Sequence, residues 1–285
     1  MSLGESTQAE PALTAPNAGM HFNSAKSALF SALSTLVFPD PQLVPTSAFV
    51  YLLGLLGFEE RAARQAVRRA ADAGWIEAQR SGRRSLWQLS SSGVEMMNDG
   101  AAHRRRLFEG HRLWDGQVLL LNVAVPESDR GLRWTLKTRL AWVGFAQVSP
   151  GAWMSTRLSD ESQAAALLGQ LGLHGISYVA RAGGIGDLRD VVSKAWDLVG
   201  LAARYQQLLD DFAGAGDEVR DDSITMRVQL VHRYRRFLGE DPTLPIELLP
   251  GDWVGQRMAH RYLELMRQWH DPVRSRWQEI LDGKC

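Results

Sequence analysis

Apolar residues recur along the first third of the chain at the spacing of buried helix faces. Ala28, Leu29, Ala32, Leu33 and Leu36 stand three or four residues apart, which predicts a helix over 24–37 closed by Pro39 and Pro41. Thr46, after Pro45, suits the N-cap of a second helix that reaches Leu56, and Gly57 gives a short turn. Glu59 and Glu60 open a third helix, where negative charge favours the N-terminus, and Gly74 stops it. Trp75 and Ile76 start a strand, residues 86–89 make another, and residues 80–84 read as the turn between them. This order of helices and a hairpin is that of a winged helix-turn-helix. Ser90, Ser91 and Ser92 then cap a helix running past Arg104, Arg105 and Arg106 towards Phe108.

The pattern changes further along. Residues 117–125 are a nearly continuous apolar strand, and 130–143 a helix with Leu132, Leu136, Leu140 and Val143 on one face. Strands follow at 145–148 and 152–154 around Pro150 and Gly151, then a helix over 160–171 and a strand over 176–180. Strand, helix, two strands, helix, strand predicts an α+β sandwich of ferredoxin-like type. From Asp187 the pattern is helical: a stripe from Leu198 to Phe212, a Gly- and Asp-rich loop over 213–222, and helices over 224–238 and 253–269 separated by Pro242, Pro245 and Pro250.

Charge distribution adds more than net charge does. The 285 residues have formal net charge +0, yet residues 61–84 hold seven arginines against two acids. On the third helix Arg61, Arg64, Gln65 and Arg68 share one face, Arg69 adjoins it, and Ala63, Ala66, Val67 and Ala70 face the core. Arginine can hold guanine O6 and N7 with two hydrogen bonds, and glutamine can do the same for adenine. Arg80, Arg83 and Arg84 of the hairpin suit the DNA backbone or minor groove. Double-stranded DNA is the expected partner. The cluster at Arg104, Arg105 and Arg106 offers either more phosphate contacts or a solvated helix end.

Other chemistries find little support. Gly183, Gly184 and Gly186 do not complete a dinucleotide fingerprint, since its last glycine falls at Arg189. His232, His260 and His270 lack metal-ligand spacing, and the single cysteine, Cys285, has neither a disulfide partner nor a paired base. No catalytic residue, metal or cofactor is expected. Core packing is the default for Trp196, Trp253, Trp269 and Trp277, although a few of the ten tryptophans could line an aromatic or acyl pocket. Residues 1–20 read as a disordered tail without a signal peptide, and no apolar run is long enough to span a bilayer, so a cytoplasmic protein is expected.

The segments SALFSALSTLVFPD and VPTSAFVYLLGLLGFEERAARQAVRRAADAGWIEAQRSGRRSLWQLSSSG resemble the DNA-binding end of PaaX-type repressors. The resemblance continues through WDGQVLLLNVAVPESDRGLRWTLKTRLAWVGFAQVSPGAWMS and LVHRYRRFLGEDPTLPIELLPGDWVG, covering nearly everything after Met20. It implies a winged helix-turn-helix with its connecting helix over 21–112, a Cas2-like ferredoxin domain over 113–185, and a helical effector and dimerisation domain over 186–285. It also implies a homodimeric repressor of an aromatic-acid catabolic operon, released from its operator by phenylacetyl-coenzyme A or another acyl-coenzyme A. The chain departs from the family at Glu59, where a capping serine is usual, and at Arg68, Arg69 and Ala70, where a Ser-Arg-Leu run is usual; a different operator is expected. Cas2-type nucleases carry an aspartate at the end of the first strand, where this chain reads Asn122-Val123-Ala124-Val125-Pro126, so a nuclease is not the expected reading, and the lack of a nucleophile–base signature counts against an acyl-coenzyme A hydrolase.

Overall fold

The computed structural model describes residues 22–40, 42–81, 84–108, 114–126, 128–215 and 222–284. The tail over 1–20, Arg83 and Cys285 lie outside the described residues. In chain order the first elements are α1 (Ala25–Ala32), β1 (Val44–Pro45), α2 (Thr46–Leu55), α3 (Glu60–Asp72), β2 (Ile76–Ser81), β3 (Arg84–Leu89) and α4 (Ser91–Phe108). Helix α1 is capped by Ser24, whose side chain accepts from the Ser27 N–H, and it ends in a π-helical turn, Leu33–Val37. Two expectations are corrected. Thr46 is the first residue of α2 rather than its cap; its hydroxyl accepts from Trp87 Nε1 at 2.8 Å and so ties the helix to β3. Arg80 and Arg84 belong to strands rather than to a turn, because the ladder continues through Arg80↔Ser85 to Ser81↔Arg84. Strand β1, which the sequence pattern did not reveal, joins this sheet in the order β1-β3-β2.

The central unit comprises β4 (Gln117–Val123), α5 (Arg130–Val143), β5 (Ala146–Ser149), β6 (Ala152–Ser155), α6 (Glu161–Leu171) and β7 (Gly175–Arg181). Its strands are antiparallel in the order β5-β6-β4-β7, the split arrangement of a ferredoxin-like sandwich. The continuous apolar run at β4 has a physical reason, since both of its faces are covered. Leu119, Leu121 and Val123 pack with Leu136, Leu140 and Leu167 beneath α5 and α6, whereas Val118 and Leu120 join a second core on the opposite face.

That second core unites the two ends of the chain. It includes α7 (Leu188–Ala195), α8 (Leu198–Asp211), α9 (Ser223–Tyr234), α10 (Val254–Gln268) and α11 (His270–Leu281) together with the inner faces of α1, α2 and α3. Helix α9 lies on α1 and α11 on α2. The seam is made by Phe49 against Trp277, by Arg276 Nη2 donating to Tyr51 Oη at 2.9 Å, and by Arg227 Nε donating to Thr35 Oγ1 at 3.0 Å. Helix α4 is tied in as well: Phe108 stacks on Tyr234 and Tyr262 at 5.5 and 5.1 Å. The expectation that the helices end at Trp269 is corrected by α11, whose Pro272 lies in the first turn, where its missing N–H has no intrahelical role.

His232 stands in this seam, hydrogen-bonded to Ser31 Oγ at 3.1 Å. Burial, reinforced by Arg235, Arg236 and Arg233, lowers its pKa from 6.5 to about 4. The unfolded chain therefore takes up this proton below about pH 6.5, while the folded chain resists until about 4. The stability contribution is complete above the upper value and is lost as pH falls through the window. Urea unfolding should show wild type losing roughly 3 kcal/mol more than His232→Leu between these limits. Parallel stability curves would remove His232 as the cause.

Candidate nucleic-acid interface

Two glycine-terminated turns set the position of α3. At the end of α2, Phe58 N–H donates to the Leu53 carbonyl at 3.0 Å and Gly57 N–H to that of Gly54 at 2.9 Å, with Gly57 at φ +86°. The same pair closes α3, from Trp75 to Ala70 and from Gly74 to Ala71, with Gly74 at φ +72°. Both are Schellman motifs, which need the left-handed residue that glycine supplies without strain. The first holds α2 and α3 together across a short turn, and the second sends the chain directly into β2.

Helix α3 is divided sharply between its faces. Ala63, Ala66, Val67 and Ala70 are buried, and the small alanines let the helix approach α1 and α2 closely. Arg61, Arg64, Gln65, Arg68 and Arg69 are exposed. Arg64 Nη2 pairs with Glu60 Oε1 at 2.7 Å one turn earlier, while Arg61, Arg68 and Arg69 form no ion pair among the described residues. The helix thus presents five side chains able to donate to acceptors on a partner. Arg80 and Arg84 occupy strand positions near the end of the β2–β3 hairpin, which Gln88 Nε2 reinforces by donating across to Glu77 Oε1 at 2.7 Å.

The root of the hairpin is held by serines. Ser90 Oγ accepts from the Gly93 N–H at 3.0 Å, and Ser92 Oγ donates to the Gly74 carbonyl at 2.8 Å. A Cβ on Gly93 would lie 2.1 Å from the Trp75 carbonyl oxygen.

The remaining candidate residues are scattered. Arg105 is exposed, whereas Arg104 and Arg106 are half-buried along α4. His232 is buried, His260 and His270 are exposed and far from it in the chain, and the described residues contain no group of side chains suited to a metal. Gly183, Gly184 and Gly186 form an exposed loop before α7. Trp253, Trp269 and Trp277 are buried core residues. Among the described residues no helix is long and apolar enough to cross a membrane.

Three successive segments of the chain match models of known protein families. Residues 24–93 match the model of a PaaX-like protein, 111–191 the PaaX protein central Cas2-like domain, and 196–279 the PaaX-like protein C-terminal domain. The chain belongs to the PaaX family of transcription regulators, which sets it among regulators rather than enzymes. It is similar to the Transcriptional repressor PaaX of Escherichia coli (strain K12), with 32% identity over 220 residues, spanning 72% of this chain and 67% of that one. A solved structure of an uncharacterized protein from Mycobacterium tuberculosis shares the fold, with a TM-score of 0.64 and 25% identity over 90% of this chain and 99% of that one.

The contact at Gly93 gives a stability test of the hairpin root. Gly93→Ala forces the Trp75 carbonyl away and should cost about 2 kcal/mol or more, read as a lowered melting temperature. An unchanged melting temperature would show that the root is not tightly packed.

Proposed function

We propose that this protein is a DNA-binding transcriptional repressor whose N-terminal unit works as a winged helix-turn-helix. In this reading α3 enters the major groove, Arg64, Gln65 and Arg68 reach base edges, Arg61 and Arg69 neutralise flanking phosphates, and the hairpin bearing Arg80, Arg83 and Arg84 follows the backbone. The observation that carries it is the division of α3, with four exposed arginines and a glutamine on one side and a packed alanine face on the other. The similarity to a transcriptional repressor supports the same reading. The Arg64–Glu60 pair is exposed and worth at most about 1 kcal/mol, so Arg64 can exchange it for a base or phosphate at small cost.

A homodimer would place two α3 helices about 34–36 Å apart on an inverted-repeat operator. Exposed apolar side chains along β7, an edge strand of the central sheet, Ile176, Tyr178 and Val179, support a second copy covering that edge. The effector in this account is an acyl-coenzyme A, with phenylacetyl-coenzyme A the first to try, and it binds the DNA-free conformation more tightly.

Fluorescence anisotropy with the DNA upstream of the protein's own gene tests the interface. At fixed salt, Arg64→Ala or Arg68→Ala should each weaken binding by about 1–3 kcal/mol. Wild-type affinity in both would exclude α3 as the reading element. Arg83→Ala combined with Arg84→Ala should instead flatten the dependence of log affinity on log salt by roughly 2, one for each lost phosphate contact. An unaltered slope would exclude the hairpin from backbone contact.

A further inference from the structure

Helix α4 leaves the hairpin root and passes between the other two units. Along it opens a cavity of about 480 Å³, within the range of small-molecule sites. All three parts of the chain wall it: Phe30 from α1, Met96 and His103 from α4, Trp142 from α5, and Leu238 from the turn after α9. Trp142 is 47% exposed despite its size. The same indole and Gln163 also border an adjoining cavity of about 620 Å³, so the space is elongated.

The polar groups converge on one kind of ligand. Arg104, Arg106 and Arg235 line the cavity, and none forms an ion pair among the described residues. Arg235 lies over the Phe30 ring at 4.4 Å and donates from Nη2 to Ser27 Oγ at 3.0 Å, so its charge is held in place without a carboxylate. Against three guanidinium groups the cavity holds one acid, Asp99. His103 supplies an unused position: Nδ1 donates to the Asp99 carbonyl at 3.0 Å, the ring packs on Trp142 at 4.5 Å, and Nε2 is buried with no partner among the described residues. A buried polar atom left unpaired is costly, and a ligand group would satisfy it.

The geometry points to this cavity as the binding site of a small amphipathic anion. An aromatic or acyl group lies against Trp142, Phe30 and Met96, and a phosphate or carboxylate lies among Arg104, Arg106 and Arg235, with His103 Nε2 as a further polar contact. The inference rests on the effector reading above and locates the effector. A ligand there touches α1, which supports α3, and also the central and C-terminal units, so their relative packing can be coupled to occupancy.

Gly100 gives a test that preserves the fold. A Cβ there meets nothing nearer than Arg104 Nη1 at 3.8 Å, and leucine favours a helix interior over glycine, so Gly100→Leu fills the cavity while α4 holds. Calorimetry on the full chain would use phenylacetyl-coenzyme A, coenzyme A and phenylacetate. Wild type should bind the ester more tightly than either fragment, and Gly100→Leu should weaken the ester at least tenfold with an undiminished melting temperature. Arg104→Ala with Arg106→Ala should also weaken the ester at least tenfold. A parallel loss for coenzyme A assigns the arginines to phosphate, and one for phenylacetate assigns them to carboxylate. Wild-type ester affinity in both variants overturns the cavity assignment and leaves the effector reading standing. Cavity binding that leaves DNA affinity unchanged overturns the effector reading alone, and no binding of any probe to wild type overturns both.

Discussion

The packing of α1 and α2 against α9 and α11 is the constraint on which the arrangement depends. Helix α3 is buried through small residues, Ala63, Ala66, Val67 and Ala70, and its platform is α1 and α2. That platform has its other side on the C-terminal helices, through Phe49–Trp277, Ser31–His232 and Tyr51–Arg276. The direction of the basic face is therefore set two layers away, in a core close-packed enough to transmit displacement. A change in how the C-terminal helices sit would re-aim α3 as a body, the kind of rigid shift that separates binding states in switches.

The electrostatics fit that division of labour. The exposed arginines of α3 contribute little to folding, since a solvated surface pair is worth at most about 1 kcal/mol, and they remain free to pair with an anionic partner. Charge used for cohesion is handled differently. Asp160 is buried, accepts from Ser155 Oγ at 2.7 Å, and faces Arg157, which also donates to the Pro242 carbonyl at 2.9 Å and so joins the central unit to the segment before α10. Arg104 and Arg106 of α4 belong to neither group. They are half-buried, lack carboxylate partners among the described residues, and face a cavity where the three units meet.

Much of the fold was legible because it follows from local periodicity. The apolar stripes of α1 and α5, the glycine stops at Gly57 and Gly74, and the alternating strands and helices of the central unit each depend on nearby residues. What was missed depends on distant partners. Strand β1 has two residues and exists only because Val44 and Pro45 meet Trp87 and Leu86. Thr46 has the chemistry of a cap, but Trp87 claims its hydroxyl. Helix α11 begins with His270, Asp271 and Pro272, which locally resemble a terminus, and Val273, Trp277 and Ile280 reveal a buried face only when α2 is in place. For the candidate interface, the face of α3 was readable from spacing alone. The cavity was not, because His103 and Trp142 lie in different units and neither is distinctive in sequence. The one available signal was the run Arg104, Arg105 and Arg106, whose first and third members face the cavity.

The central claim is that the basic face and the sensing part of the molecule share one equilibrium. Linkage then requires reciprocity between the two ligands. The direct measurement determines the dissociation constant of the upstream DNA with and without saturating phenylacetyl-coenzyme A, and that of the ester with and without saturating DNA, at one salt concentration. The account predicts that both constants rise by the same factor, between about 5 and 150. Ester binding that leaves both constants unchanged would contradict it.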